Sequence, residues 1–138
     1  MLKKAFALIT LVVPIVLVLS VPRVSEARVK EVVEPVIDVP CPMSHAKVKS
    51  AIRRALREKK WSSISKGKNK IRAKVLVRKH TLVMNITYNT KKVKMTYVSS
   101  ENLKHKEKDG KHYIHGRANG WINYVANLTE LNMSDNCN

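Results

Sequence analysis

The amino-acid sequence predicts an α+β domain: a helix, a three- or four-stranded antiparallel meander and a second helix, with both helices on one sheet face. Three observations predict it. Residues 71–97 alternate apolar and polar side chains in three short runs separated by turn-like breaks, the period of half-buried strands. Residues 44–60 and 118–133 carry apolar side chains at i, i+3, i+4 spacing. Two cysteines, Cys41 and Cys137, flank the whole helix–sheet–helix unit and in an exported domain most simply pair with each other.

The chain opens with Lys3 and Lys4, an uncharged apolar run from Ala5 to Val21, and Ser25-Glu26-Ala27. A cationic head, an apolar middle and small residues at −3 and −1 are the parts of a secretory signal peptide, here residues 1–27 with cleavage after Ala27. An uncleaved inner-membrane anchor is the alternative. No cysteine stands near the cut, so lipid attachment is not expected. Cleavage removes Lys3, Lys4, Arg23 and Glu26 from a chain of 27 Lys plus Arg and 10 Asp plus Glu, leaving 24 against 9, a net charge of +15. So large a positive field repels basic partners and attracts anionic ones, with strong salt dependence.

Residues 28–40 hold Pro35, Pro40 and three acids, Glu31, Glu34 and Asp38, with no helical or alternating period. They read as an extended leader ahead of a single small domain, residues 41–138, and their acids suggest docking on the basic sheet face. Ser44 is placed as the N-cap of the first helix, with Met43 and Val48 set for a hydrophobic staple. Val48, Ala51, Ile52, Ala55 and Leu56 form its apolar face; Lys49, Arg53, Arg54, Arg57 and Lys60 fill the rest. Trp61 to Ser65 is a short first strand. One face of the meander carries Ile71, Ala73, Val75, Val77, Leu82, Met84, Ile86, Tyr88, Val93, Met95 and Tyr97. The other carries Arg72, Lys74, Arg78, Asn85, Thr87, Lys94 and Thr96. Residues 99–111 are polar and read as the longest loop, ending in the Asp109-Gly110 turn signal, with a brief strand at Tyr113-Ile114. In the last helix Ala118, Trp121, Ile122, Val125, Leu128 and Leu131 make the apolar stripe, while Asn119, Asn123, Asn127 and Asn132 lie mostly opposite. A Cys41–Cys137 bridge sets the start of one helix beside the end of the other, so the helices should run antiparallel and the cationic sheet face should point outward.

The ordered motifs resemble a largely uncharacterised family of small exported bacterial envelope proteins, many of them lipoproteins. They are Trp61 after a first helix, Ile71-Arg-Ala-Lys-Val-Leu-Val-Arg78, His80, Ile86-Thr-Tyr88, Tyr97-Val-Ser-Ser-Glu-Asn-Leu103 and Ile114-His-Gly-Arg-Ala-Asn-Gly-Trp121. The resemblance implies a Gram-negative envelope location and an α+β domain; it supplies no reaction and no catalytic residues. This chain departs in lacking a lipidation cysteine and in being unusually basic.

Chemistry is sparse. His105, His112 and His115 lie near one another, but their lysine-rich surroundings oppose a metal cation. His115 suits a capping or packing role. Ser99, Ser100 and His105 share a segment without a strained elbow or oxyanion motif. The acids Glu58, Glu101, Glu107, Asp109, Glu130 and Asp135 form no recognisable catalytic pair, and glycine-rich phosphate loops are absent. No enzyme activity and no cofactor are expected. The aromatics that would stack bases fall on the buried face, so nucleic acid is not an expected partner. What remains is a non-enzymatic, monomeric, periplasmic binding module. Its basic residues Arg72, Lys74, Arg78, Lys94, Arg53 and Arg57 would meet an anionic envelope component (lipid, lipopolysaccharide or cell-wall polymer) or an acidic protein. The alternative is a small-ligand pocket or weak hydrolase using residues 99–115.

Overall fold

In the computed structural model, residues 28–138 are described; the expected signal segment lies outside them. The elements are β1 (Val29–Glu31), β2 (Val36–Asp38), α1 (His45–Glu58), β3 (Ser62–Ser65), β4 (Lys70–Val77), β5 (His80–Tyr88), β6 (Lys92–Glu101), β7 (Lys106–Lys108), β8 (Lys111–His115) and α2 (Arg117–Asp135). The class is α+β. Strands β3 to β6 form the antiparallel meander, and β2 extends it to five strands in the order β2-β6-β5-β4-β3. A second sheet, β1-β8-β7, is also antiparallel.

The alternation in the meander translates directly into burial. Ile71, Ala73, Val75, Leu82, Met84, Ile86, Tyr88, Val93 and Met95 lie in one core with Val48, Ile52 and Leu56 of α1 and Ile122 and Val125 of α2. Val77 and Tyr97, at the ends of that face, are half-buried. A bulge in β6 opposite Val83 and Met84 sets nine residues of β6, 93–101, against eight of β5, 81–88. Cys41 and Cys137 form the expected disulfide. The helices are antiparallel: Lys59 lies over the Tyr124 ring, Asn132 donates to the Ala51 carbonyl, and the disulfide follows at the far end.

Ser44 caps α1 by accepting from the Lys47 N–H. At the other end Lys60 takes the left-handed conformation, with φ of 60°, while its N–H reaches the Arg57 carbonyl and the Trp61 N–H reaches Leu56. This is a Schellman close with lysine where glycine is favoured, and buried Trp61 supplies the apolar contact that follows it. Lys60→Gly should therefore raise the unfolding free energy by about 0.5–1 kcal/mol, read as a higher urea midpoint.

Three expectations need correction. The leader does not lie on the basic sheet face. It adds β1 beside β8 and β2 beside β6, because residues 28–40 carry enough Val and Ile to pair in the plane of each sheet. Its acids are used along those edges: Asp38 pairs with Lys92, Glu31 with Lys111, and Glu34 accepts the Tyr97 N–H. Residues 99–111 are not an open loop either. Strand β6 runs to Glu101, and Asp109 and Gly110, at φ of 52° and 73°, close a two-residue hairpin between β7 and β8. Both faces of β7 are exposed, so no apolar period betrayed it. Finally, Asn119 and Asn132 are buried rather than solvent-facing, and Leu131 is exposed.

Candidate functional site

The outward face of the five-stranded sheet is built in cross-strand rows. Register aligns Ile64, Arg72, Asn85 and Thr96; beside them run Ser62, Lys74, Val83 and Ser99, and on the other flank Lys70, Thr87, Lys94 and Val36. Arg72 is half-buried and its Nε donates to the Asn85 Oδ1 of the neighbouring strand at 3.1 Å. The two ion pairs among the described residues are Lys92–Asp38 and Lys111–Glu31. Lys70, Arg72, Lys74 and Lys94 therefore have no carboxylate partner there.

The face is not purely cationic. Ile64, Val36 and Leu76 remain 55%, 55% and 64% exposed, and all three stand on this side of the sheet. Apolar side chains at such exposure between unpaired cations are the feature that charge counting missed. The signal was present in the alternation: Ile64 and Leu76 occupy positions where a solvated face would carry polar residues. A shallow depression of 340 Å³ runs between Ile64, Arg72, Lys74 and Val83.

The six basic residues expected to act together are divided. Arg72, Lys74 and Lys94 share the outward face. Arg53 and Arg57 lie on α1, which covers the opposite face of the sheet. Arg53 instead stands near Tyr88, whose hydroxyl is pushed up by burial and partly drawn back by that charge. Arg78 is in the tight β4–β5 turn, at φ of 56°, and belongs to a different end of the molecule.

That end collects Arg78, His80, His115 and Arg117 around Trp121, with Arg28 and Lys104 close enough to His115 for their charges to act on it. His115, one residue ahead of the Gly116 N-cap of α2, accepts the Arg117 N–H at Nδ1. Burial, and then the charges of Arg117, Arg28, Lys104 and His80, hold its imidazole below the usual range. An unfolded chain thus binds a proton here before the folded one does, so stability should fall as pH drops through the ordinary imidazole range toward the lowered value. In His115→Gln that part of the pH dependence should disappear, measured by urea unfolding at about pH 7.5 and about pH 5.5.

A third group of rings, Tyr97, His105 and His112, stacks at centroid distances of 4.5–5.2 Å. His105 Nε2 and His112 Nδ1 are 2.9 Å apart, one donating to the other, while the Tyr97 hydroxyl meets Ser100 Oγ at 2.8 Å. Ser100 and His105 are thus engaged separately rather than with each other. Among the described residues no group of three or more His, Cys, Asp or Glu side chains is arranged to hold a metal, and no helix is long and apolar enough to cross a membrane.

Fold and surface together define a small, disulfide-closed, cationic α+β domain. No family model, curated protein or solved structure matches the chain.

Proposed function

We propose that the protein is a non-enzymatic, exported binding module whose outward sheet face docks on an anionic lipid surface of the cell envelope. One observation carries this reading: unpaired Lys70, Arg72, Lys74 and Lys94 alternate with exposed Ile64, Leu76 and Val36 on one rigid face. A soluble polymer or an acidic protein loop would be satisfied by the cations alone. A lipid interface also takes the aliphatic side chains, which sit among headgroups while the cations meet phosphate. Export through residues 1–27, cleavage after Ala27 and a periplasmic location belong to the same proposal, supported by the cationic head, the apolar run and the small residues at the cut.

The test is co-sedimentation with vesicles containing anionic phospholipid, repeated across salt concentrations. Each cation near such a surface contributes about 1 kcal/mol, so the combined Arg72→Gln, Lys74→Gln, Lys94→Gln variant should bind about a hundredfold more weakly. Ile64→Ser with Leu76→Ser should weaken vesicle binding while leaving retention on a soluble polyanion unchanged. Equal loss on both, or binding that ignores salt, would count against the lipid reading. All five positions are at the surface, so folding should change little.

A further inference from the structure

At the end of the sheet opposite the leader's β2 strand, two adjoining cavities share His115 and Arg117. One, of 320 Å³, is lined by Val77, Arg78, His80, Leu103 and Trp121 in addition to these two. The other, of 410 Å³, is bounded by Arg28 and Lys30. We propose that the first cavity binds a phosphorylated small molecule, its anionic group between Arg78 and Arg117 and a flat apolar portion against Trp121 and Leu103. This site is separate from the sheet face that meets lipid.

The cavity reaches the lower end of the size that small-ligand pockets show, and its lining has their usual make-up of an apolar wall with a few convergent polar groups. Its polar members are all cations or hydrogen-bond donors. Arg78 and Arg117 present guanidinium forks, which match phosphate oxygens two at a time. Neither has a carboxylate partner among the described residues.

The two imidazoles are set in opposite tautomers by their backbone bonds. At His80, Nδ1 donates to the Asn102 carbonyl at 2.6 Å, which leaves Nε2 without a proton in the neutral ring. At His115, Nδ1 accepts the Arg117 N–H at 3.3 Å, so the neutral ring carries its proton on Nε2 and remains a donor. The cavity therefore offers one neutral imidazole donor, from His115, and two fixed guanidinium charges at neutral pH.

Backbone geometry gives a second reason to regard Arg78 as placed for a task. The β4–β5 hairpin has a two-residue turn, Arg78-Lys79, and its first residue adopts φ of 56°. Asn or Gly is the favoured occupant of such a turn. An arginine kept there puts a charge at the cavity mouth at a cost in backbone strain.

Titration of the purified, isotopically labelled protein with phenyl phosphate, followed by NMR, tests the proposal. Saturable shifts are expected at Leu103, His115, Arg117 and the Trp121 indole. Arg78→Asn, which suits the left-handed turn, and Arg117→Gln should each weaken binding about tenfold, whereas Lys74→Gln should not. Inorganic sulfate, ionised throughout, should bind more weakly than phenyl phosphate and should tighten only as pH falls below the ordinary imidazole range, where His115 takes up its proton. That response comes from His115, whose imidazole is held low by burial and then by Arg117, Arg28, Lys104 and His80, with Lys30 and Arg78 beside it in the two cavities. Absence of saturable shifts, shifts confined to the outward sheet face, or undiminished binding by both arginine variants would overturn the proposal. Binding to phosphatidate vesicles with no response to soluble phenyl phosphate would do so as well. Loss at the sheet face with retention here, or the reverse, separates this proposal from the lipid-docking one.

Discussion

Replacing Cys41 and Cys137 together by alanine is expected to lower the unfolding free energy by about 4–5 kcal/mol in the chain-entropy description of a cross-link. The bridge joins residues 96 apart in sequence, closing nearly the whole domain into one loop, so it removes much of the freedom of the unfolded chain. The loss should be large against the total for a domain of this size, about 5–15 kcal/mol. Urea unfolding followed by far-ultraviolet circular dichroism should show the midpoint falling by about 3 M for a slope of about 1.5 kcal/mol/M. A shift below about 1 kcal/mol would mean that the helix pair is held by packing alone. The helices do have other links, chiefly Asn132 Nδ2 to the Ala51 carbonyl and the stacked faces around Ile52 and Met133. Those contacts form only once both helices are in place, whereas the bridge also acts on the unfolded state.

Removing residues 28–40 should destabilise the protein about as strongly. Val32 and Ile37 are buried, each representing about 1.5–3 kcal/mol of apolar burial. The edges of β6 and β8 would lose their partners, leaving the Met95 N–H without the Pro35 carbonyl and the Tyr97 N–H without Glu34. Asn119 would be stranded too. Its side chain accepts from the Val33 N–H and donates to the Glu31 carbonyl, so one buried amide of α2 reads both directions of the leader backbone. Asn119→Ala isolates that contribution and should cost about 2 kcal/mol. The shortened chain should expose β6 as a sheet edge and self-associate, seen by light scattering. A deletion that remained monomeric with an unchanged urea midpoint would show the leader to be an ornament of the fold rather than part of it.

The legibility of these features in the sequence follows their physics. The meander and α1 were readable because each buries one face against one layer, which writes a clean period into residues 71–97 and 48–56. The hairpin of β7 and β8 was hidden because Lys106, Glu107 and Lys108 are all exposed; only Asp109-Gly110 marked it. The leader strands were hidden by brevity, three residues each, and by Pro35 between them and Pro40 after them. Asn119 and Asn132 defeated the helical pattern because buried amides satisfied by backbone partners look, in sequence, like solvent-facing ones. For the candidate site, the signs and positions of Arg72, Lys74 and Lys94 were legible. The separation of Arg53, Arg57 and Arg78 from them was not, since it depends on which face α1 covers and on a turn conformation.

The central claim is that the outward sheet face meets anionic lipid with its cations and its aliphatic side chains together. Methyl NMR of the protein on anionic bicelles carrying a lipid-borne spin label measures this contact directly. Ile64, Leu76, Val36 and Val83 should broaden strongly, with Ile52 and Val125 of the buried core unaffected. Broadening centred instead on Leu131 of α2, or none on the sheet face at low salt, would contradict it.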